Sequence, residues 1–162
     1  MNHFSFLLYM RKKELEITDP KIIDEIIAGS TYCHLGLSDN NQPYIVPLNF
    51  GRKGNSIYFH SAPEGQKLEI IKKNNNVCIM FEADQEIVDK GKEVCKWGTK
   101  YRSVIGFGKA YLVTDDSAKR EGLKILMSQY YDGEIELKDK SVNDCLVIRV
   151  DIDYFTGKSS GY

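Results

Sequence analysis

The sequence predicts a mainly β domain, an antiparallel β-barrel with α-helices packed outside it. Three observations lead to this prediction: about six stretches have strand character, short turns join them in hairpin order, and three further stretches show helical spacing. The length of 162 residues suits one domain. We assign residues 10–162 to it and expect residues 1–9, which precede a second candidate start at Met10, to form a poorly ordered extension.

The composition excludes several classes of function. The 22 basic and 23 acidic residues give a net charge of −1, so that no overall field attracts nucleic acid or anionic lipid. The four cysteines and three histidines lack the spacing of a zinc site, which indicates reduced thiols and no bound metal. The apolar run of residues 4–10 lacks the flanks of a signal peptide, and no later run approaches a membrane span. We therefore expect a cytoplasmic protein that binds neither nucleic acid nor membrane.

The first half of the chain predicts one helix followed by three strands. The helix has Thr18 or Asp19 as its N-cap and Pro20 in its first turn, and its isoleucines recur along one face as far as about residue 29. Three stretches are rich in aromatic and β-branched residues and predict strands: residues 32–37, 43–50 and 56–61. A polar turn at residues 39–41 makes the first two of these strands a hairpin.

The second half predicts two helices and three strands. Helical spacing is found in residues 64–74 and 117–131, and strand character in residues 77–82, 101–114 and 145–155. The longest strand contains Gly106 and Gly108, which predict a bend or a bulge. Its apolar residues share one face: Ile105, Phe107, Tyr111 and Val113. The polar stretch of residues 83–96 favours no regular element.

The junction at residues 60–67 has two interpretations. Ser61 and Glu64 have the spacing of a capping box, in which the two side chains satisfy backbone amides at the start of a helix. The same helix start could instead bind a phosphate, because its free amides and positive dipole end would act together with the charge of Lys67. The spacing alone leaves both interpretations open.

A second candidate is Arg102, at the start of the longest strand. An arginine at a strand end is either a solvated charge or, where it faces a pocket, a bidentate partner for a phosphate or a carbonyl. The nearby Gly106-Phe107-Gly108 lacks the third glycine of a dinucleotide fingerprint, and the common hydrolase, nucleoside triphosphatase and metalloprotease motifs are missing from the sequence. His34 is assigned to a barrel face without a role.

Four segments follow one another in a fixed order: residues 43–50 (PYIVPLNF), 57–67 (IYFHSAPEGQK), 101–108 (YRSVIGFG) and 156–158 (TGK). This ordered set resembles the FMN-binding split-barrel superfamily. The chain is most similar to the nitroimidazole-resistance-like branch, whose members are relatives of pyridoxamine 5'-phosphate oxidase. The resemblance runs from about Met10 to Lys158. It implies a six-stranded antiparallel split β-barrel that forms a homodimer, with an FMN at each of two sites on the subunit interface.

The resemblance also implies which residues form the site. The implied cofactor-binding residues are Leu48, Asn49, His60, Ser61, Lys67, Tyr101, Arg102, Ser103 and Val104. Of these, Lys67 matches the residue that meets the phosphate, and His60 matches a histidine near the flavin that could donate a proton in catalysis. The oxidase branch has an arginine beside this lysine, where the chain has Gln66, so the phosphate is held less strongly or partly by Arg102 of either subunit.

The function that follows from the resemblance is a flavin-dependent oxidoreductase that reduces a small planar acceptor such as a nitroaromatic compound. Two alternatives stay open: a flavin store or sensor without turnover, and a haem-handling split barrel with a histidine or cysteine as axial ligand. Oxidase activity on pyridoxamine phosphate is disfavoured, since Arg149 lacks a histidine companion near the C-terminus.

Overall fold

The computed structural model describes residues 12–162, so the expectation for residues 1–9 lies outside the described residues. Within this range eight strands form one antiparallel sheet in the order β3-β2-β6-β7-β8-β5-β4, with β1 beside β8. The strands are β1 (Glu16–Ile17), β2 (Cys33–Asp39), β3 (Gln42–Leu48), β4 (Gly51–Lys53), β5 (Ser56–Ser61), β6 (Asn76–Val88), β7 (Gly98–Val113) and β8 (Leu146–Ser160). The helices are α1 (Pro20–Gly29), α2 (Gln66–Lys73), α3 (Asp116–Ser128) and α4 (Asp139–Asn143).

The sheet curls into a split barrel. Its two edge strands, β3 and β4, are joined by only two residues, Asn49 and Phe50, so that the edges come close together without pairing. The predicted fold class is therefore confirmed. The six longer strands are the predicted ones, and the prediction missed β1 and β4, whose two and three residues are too short to show a period.

The hydrophobic core fills the inside of the barrel. Fully buried aromatic rings on the barrel interior include Phe59 on β5 and Phe81 on β6, and Phe50 at the crossover packs edge-to-face on Phe81 with the ring centroids 4.9 Å apart. On β7 the core side carries Val104 and Ala110. The four apolar residues that the sequence placed together on β7 share the opposite, outer face of the sheet.

Two local predictions about the backbone are confirmed. Asn40 and Asn41 adopt positive φ values of 48° and 64° in the tight turn between β2 and β3. The pairing of β7 with β8 shifts register between Phe107 and Gly108. A side chain at position 108 would collide with the backbone carbonyl of Asp151, so this close approach of the two strands requires glycine.

The helices pack against the outside of the barrel. Asp19 caps α1 through a 2.9 Å hydrogen bond from the Lys21 amide, with Pro20 as its first residue, as predicted. This helix packs on β6 and β7, whereas α2 packs on β2, and α3 on β4 and β5. The prediction missed the five-residue helix α4 and the extension of β6 to Val88.

Two further observations concern the chain as a whole. All four cysteines are free thiols. None of the helices in residues 12–162 has the length and hydropathy needed to cross a membrane.

Candidate functional site

The strand-to-helix junction differs from the predicted capping box. Ser61 is the last residue of β5, where it pairs with Leu146 of β8, and α2 begins only at Gln66. The N-cap is Gly65, with φ of 136°, and no side chain caps the helix. The capping-box prediction is therefore wrong, because pairing with β8 holds Ser61 in the strand, away from the first turn of α2.

This arrangement leaves three polar groups without partners. The Ser61 side chain is buried, with 4% of the residue exposed, and its Oγ has no hydrogen-bond partner in the described part of the chain. A buried hydroxyl without a partner costs about 1–3 kcal/mol. The start of α2 has no side-chain cap, and the half-buried Lys67 forms no ion pair within residues 12–162. Hydroxyl, amides and ammonium together suit an anionic ligand.

His60 lies beside this junction on the outer face of β5. Its side chain is exposed and stands opposite Val147 of β8. Two residues earlier on the same face, Tyr58 stands opposite Arg149. The Arg149 guanidinium lies over the ring of Tyr111, 5.5 Å from its centroid. His60 therefore borders an outer face that combines aromatic rings with a cation.

Tyr130 anchors the crossover that follows β3. Its hydroxyl accepts a 2.9 Å hydrogen bond from the Phe50 amide and donates one of 2.9 Å to the Thr31 carbonyl. Burial raises the pKa of Tyr130, so the phenol keeps the proton that it donates. The crossover residue Asn49 and the preceding Leu48 are thereby fixed at one end of a groove. The sequence placed Tyr130 only within the predicted helix of residues 117–131, because no local pattern reveals a hydrogen bond across 80 residues.

The four predicted site residues at the start of β7 lie in different environments. Arg102 is 3.5 Å from Asp84 and lies over the ring of Tyr162, 4.8 Å from its centroid. Tyr101 is half-buried, with the Lys158 ammonium 6.0 Å from its ring centroid. Ser103 is buried on the outer face, and Val104 packs in the core with no exposed surface.

His34 lies on a face of the barrel, as predicted, and it also borders the groove of Leu48 and Asn49, which the sequence did not indicate. It also lines the neighbouring recess that contains Arg102. Its Nδ1 is 3.8 Å from a carboxylate oxygen of Glu82. The sequence signal that could have found it is weak: the alternation of β2 puts His34 on the outer face, and only the register shows that it pairs with Pro47, next to Leu48.

The predicted site residues form two groups in one chain. The first group is His60, Ser61 and Lys67, and the second is Tyr101, Arg102 and Ser103, with Leu48 and Asn49 in the groove beside its recess. On β8, Ser61 pairs with residue 146 and Ser103 with residue 158, twelve positions further along. Twelve residues of extended strand span roughly 40 Å, so the two groups lie at opposite ends of β8. No group of three or more metal-ligating side chains is found within residues 12–162.

The chain matches the model of a known protein family. The family model described as pyridoxamine 5'-phosphate oxidase matches residues 19–159. The chain belongs to this family. Among solved structures, a candidate 5-nitroimidazole antibiotic resistance protein from Bacteroides thetaiotaomicron is 34% identical, and the match covers 90% of this chain and 86% of that protein with a TM-score of 0.80.

More distant relatives share the fold. A flavocytochrome from Azotobacter vinelandii is 20% identical, with 95% of this chain and 73% of that protein covered and a TM-score of 0.80. An FAD- and haem-binding protein from Mycobacterium smegmatis is 21% identical, and the match covers 91% of this chain and 74% of that protein with a TM-score of 0.78. Among curated proteins, an uncharacterized protein of Rhizobium meliloti (strain 1021) is 32% identical over 56 residues, 35% of this chain and about a third of that relative's length.

The role of Tyr130 can be tested by substitution. We expect Tyr130→Phe to lower the free energy of unfolding by about 1–3 kcal/mol, because the Phe50 amide and the Thr31 carbonyl lose their shared partner. The neighbouring Tyr131→Phe is the matched control and leaves stability unchanged, since Tyr131 is exposed. Urea unfolding of both variants measures the difference, and equal stabilities would contradict the assigned role.

The same comparison has a defined pH dependence. Because the pKa of Tyr130 is raised above its ordinary value of 10.0, the advantage of the wild type over Tyr130→Phe is complete below pH 10 and declines as the pH rises above it.

Proposed function

We propose that the chain binds FMN as a homodimer and is a flavin-dependent oxidoreductase that reduces a small planar acceptor, such as a nitroaromatic compound. One observation carries the proposal: the buried Ser61 hydroxyl at the end of β5, the uncapped start of α2 and Lys67 follow one another within seven residues, and none of them has a side-chain partner within residues 12–162. Membership of the pyridoxamine 5'-phosphate oxidase family supports a flavin as the ligand of this junction.

The residues of the junction suit the parts of FMN. Lys67 and the first amides of α2 would hold the phosphate, since a full charge and the positive dipole end add there. Ser61 would donate its unsatisfied hydroxyl to the ribityl chain or the ring, and Leu48 and Asn49 would contact the ring. Gln66 adds no charge, so Lys67 carries most of the phosphate interaction within its own chain. Bound FMN would supply the electron transfer, and the protein would supply orientation and exclude water.

Two observations support the contribution of a second copy of the chain to the site. The first is that the two groups of predicted residues lie at opposite ends of β8, so that both can reach one flavin only if two chains contribute. The second is an apolar row across the outer sheet face, in which direct pairing aligns Ile45, Cys78, Phe107 and Tyr154. Ile45 is 65% exposed, and the rings of Phe107 and Tyr154 stack with centroids 5.2 Å apart. Such a face suits a self-complementary dimer interface.

The choice of acceptor rests on the Bacteroides relative and on His60. That relative is described as a candidate resistance protein for 5-nitroimidazole antibiotics, which are planar nitroaromatic compounds. His60 is exposed at the end of β5, next to Ser61, where its imidazole can hold a proton for a bound acceptor. We do not assign oxidase activity on pyridoxamine phosphate, since Arg149 stands on the outer face opposite Tyr58 without a histidine companion.

Haem handling is the second candidate function. Two structural relatives are described as a flavocytochrome and as an FAD- and haem-binding protein, and His34 and His60 are both accessible on the outer face. A Soret band after addition of haem, and its loss in a His34→Ala or His60→Ala variant, would favour this candidate. An absorption spectrum of released FMN would favour the first.

Titration with FMN and riboflavin tests the assigned phosphate site. We expect Lys67→Ala to weaken FMN binding about tenfold or more and to leave riboflavin, which lacks the phosphate, unaffected. Ser61→Ala weakens both ligands, because its hydroxyl meets the ribityl chain or the ring. Lys72→Ala is the matched control, since Lys72 lies at the far end of α2 and pairs with Glu69 at 2.7 Å. Equal losses in the Lys67 and Lys72 variants would refute the site.

The oligomeric state tests the interface. Light scattering after size exclusion should give about 37 kDa, twice the chain mass of 18.5 kDa. Ile45→Glu should produce monomers with weakened FMN binding, because it puts a charge in the apolar row. Ile22→Glu is the control, on α1 with 36% of the residue exposed. A monomeric wild type that binds FMN normally would remove the homodimer from the proposal.

Steady-state turnover tests the role of His60. With NADH or NADPH as donor and a nitroimidazole as acceptor, we expect His60→Ala to lower kcat about a hundredfold while FMN affinity changes little. Ser56→Ala is the control, because it changes a polar side chain on the same face of β5. Unchanged turnover in His60→Ala would exclude the histidine from catalysis, and a wild type that binds FMN without turnover would favour a flavin store or sensor.

A further inference from the structure

The proposed function uses the recess beside the groove of Leu48 and Asn49 only through Arg102. The volume of the recess is 330 Å³, and its lining includes Glu25, Tyr32, His34, Glu82, Asp84 and Arg102. It lies between the end of α1, the start of β2, residues 82–85 of β6 and Arg102 of β7. His34 and Tyr32 line both the recess and the groove, so that ligands in the two spaces would be direct neighbours.

The recess has more negatively than positively charged side chains. Its three carboxylates stand against one permanent cation, Arg102, which is 3.5 Å from Asp84. Glu82 faces His34 at 3.8 Å, and Glu25 has no ion-pair partner in the part of the chain that the structure describes. The recess therefore carries a negative charge on its own and attracts a positively charged group.

The recess also has an aromatic wall. Tyr32 is 51% exposed and meets His34 edge-to-face with the ring centroids 5.4 Å apart. The free face of a tyrosine ring attracts a cation and packs against a planar ring. Ile26 adds apolar surface to the same lining. Carboxylates at one side and an aromatic face at the other are the two features that recognise a cationic ring compound.

We propose that this recess binds a small organic cation, an amine or amidine carried on one planar ring, with Glu25 and Glu82 at its charged end and Tyr32 against its ring. Ligand pockets commonly measure about 300–1,000 Å³, so a recess of 330 Å³ takes a compound of about one ring. A longer ligand would extend past His34 into the groove. The identification of this cation as the acceptor rests on the proposed function, whereas its binding does not.

Three probes of equal shape and different charge test the proposal: benzylammonium, benzyl alcohol and benzoate. Each is titrated into the purified full chain and followed through backbone amide shifts in NMR spectra. We expect saturable binding of benzylammonium, with shifts at the recess residues, at least tenfold tighter than that of benzyl alcohol, and no saturable binding of benzoate. High salt should weaken the binding, because partly exposed charges are screened.

Three variants and one control locate the binding. Glu25→Gln and Glu82→Gln should each weaken benzylammonium about three- to tenfold, and Tyr32→Leu should reduce its preference over aliphatic ammonium ions. Glu121→Gln is the control, since Glu121 pairs with Lys53 at 2.6 Å outside the recess. Thermal unfolding followed by circular dichroism verifies that each variant is folded. Equal binding of the three probes, no binding of benzylammonium, or an equal loss in the control would overturn the proposal.

The same titrations separate this proposal from the flavin assignment. They are run on the flavin-free chain and repeated after FMN has been added. A chain that binds benzylammonium without binding FMN supports the recess and refutes the proposed flavin function. A chain that binds FMN without binding benzylammonium supports the flavin assignment and refutes the proposal for the recess.

Discussion

The fold depends on the short crossover between the two edge strands. Leu48 ends β3 and Gly51 begins β4, so the Cα atoms at the two edges are separated by three peptide units, at most about 11 Å. The sheet must therefore curl until its edges nearly meet. Phe50 lies at this point with no exposed surface, and its ring packs on Phe81 of β6 inside the barrel. Closure of the barrel and burial of its aromatic core are consequences of the same connection.

The same connection leaves the end of β5 without a second neighbouring strand. Because β4 has only three residues, it pairs with β5 no further than Tyr58. The last residues of β5 pair with β8 alone, and the chain then turns away to begin α2. Ser61 and His60 thus stand beside the split in the barrel. The strand β4 is too short to pair with this end of β5.

Sequence reasoning predicted the elements that local signals determine. The Asn40-Asn41 turn, the Asp19 cap of α1 and the strand β5 each follow from neighbouring residues. It missed β1, β4 and α4, which are too short to show a period, and the end of β6, where polar composition and a register shift after Ala83 obscure the strand.

The candidate site was harder to predict because its geometry depends on pairing between distant segments. The Ser61 spacing resembled a capping box, yet whether the serine capped a helix was decided by its pairing with Leu146, which no local pattern reveals. The contact of Tyr130 with the crossover and the position of His34 beside Leu48 depend likewise on long-range register. Residue types and order identified the family, and the tertiary structure identified which side chains were left without partners.

The geometry of β8 explains why a two-fold arrangement suits the proposed site. One group of site residues lies at the start of β8 and the other near its end, and the apolar row with Tyr154 lies between them. If two chains pack through this row about a two-fold axis perpendicular to β8, the start of one β8 lies towards the end of the other. Each of the two resulting sites would then receive Ser61 and Lys67 from one chain and Arg102 from its partner. The neutral Gln66 beside Lys67 is compatible with this division, because the second positive charge would come from the other subunit.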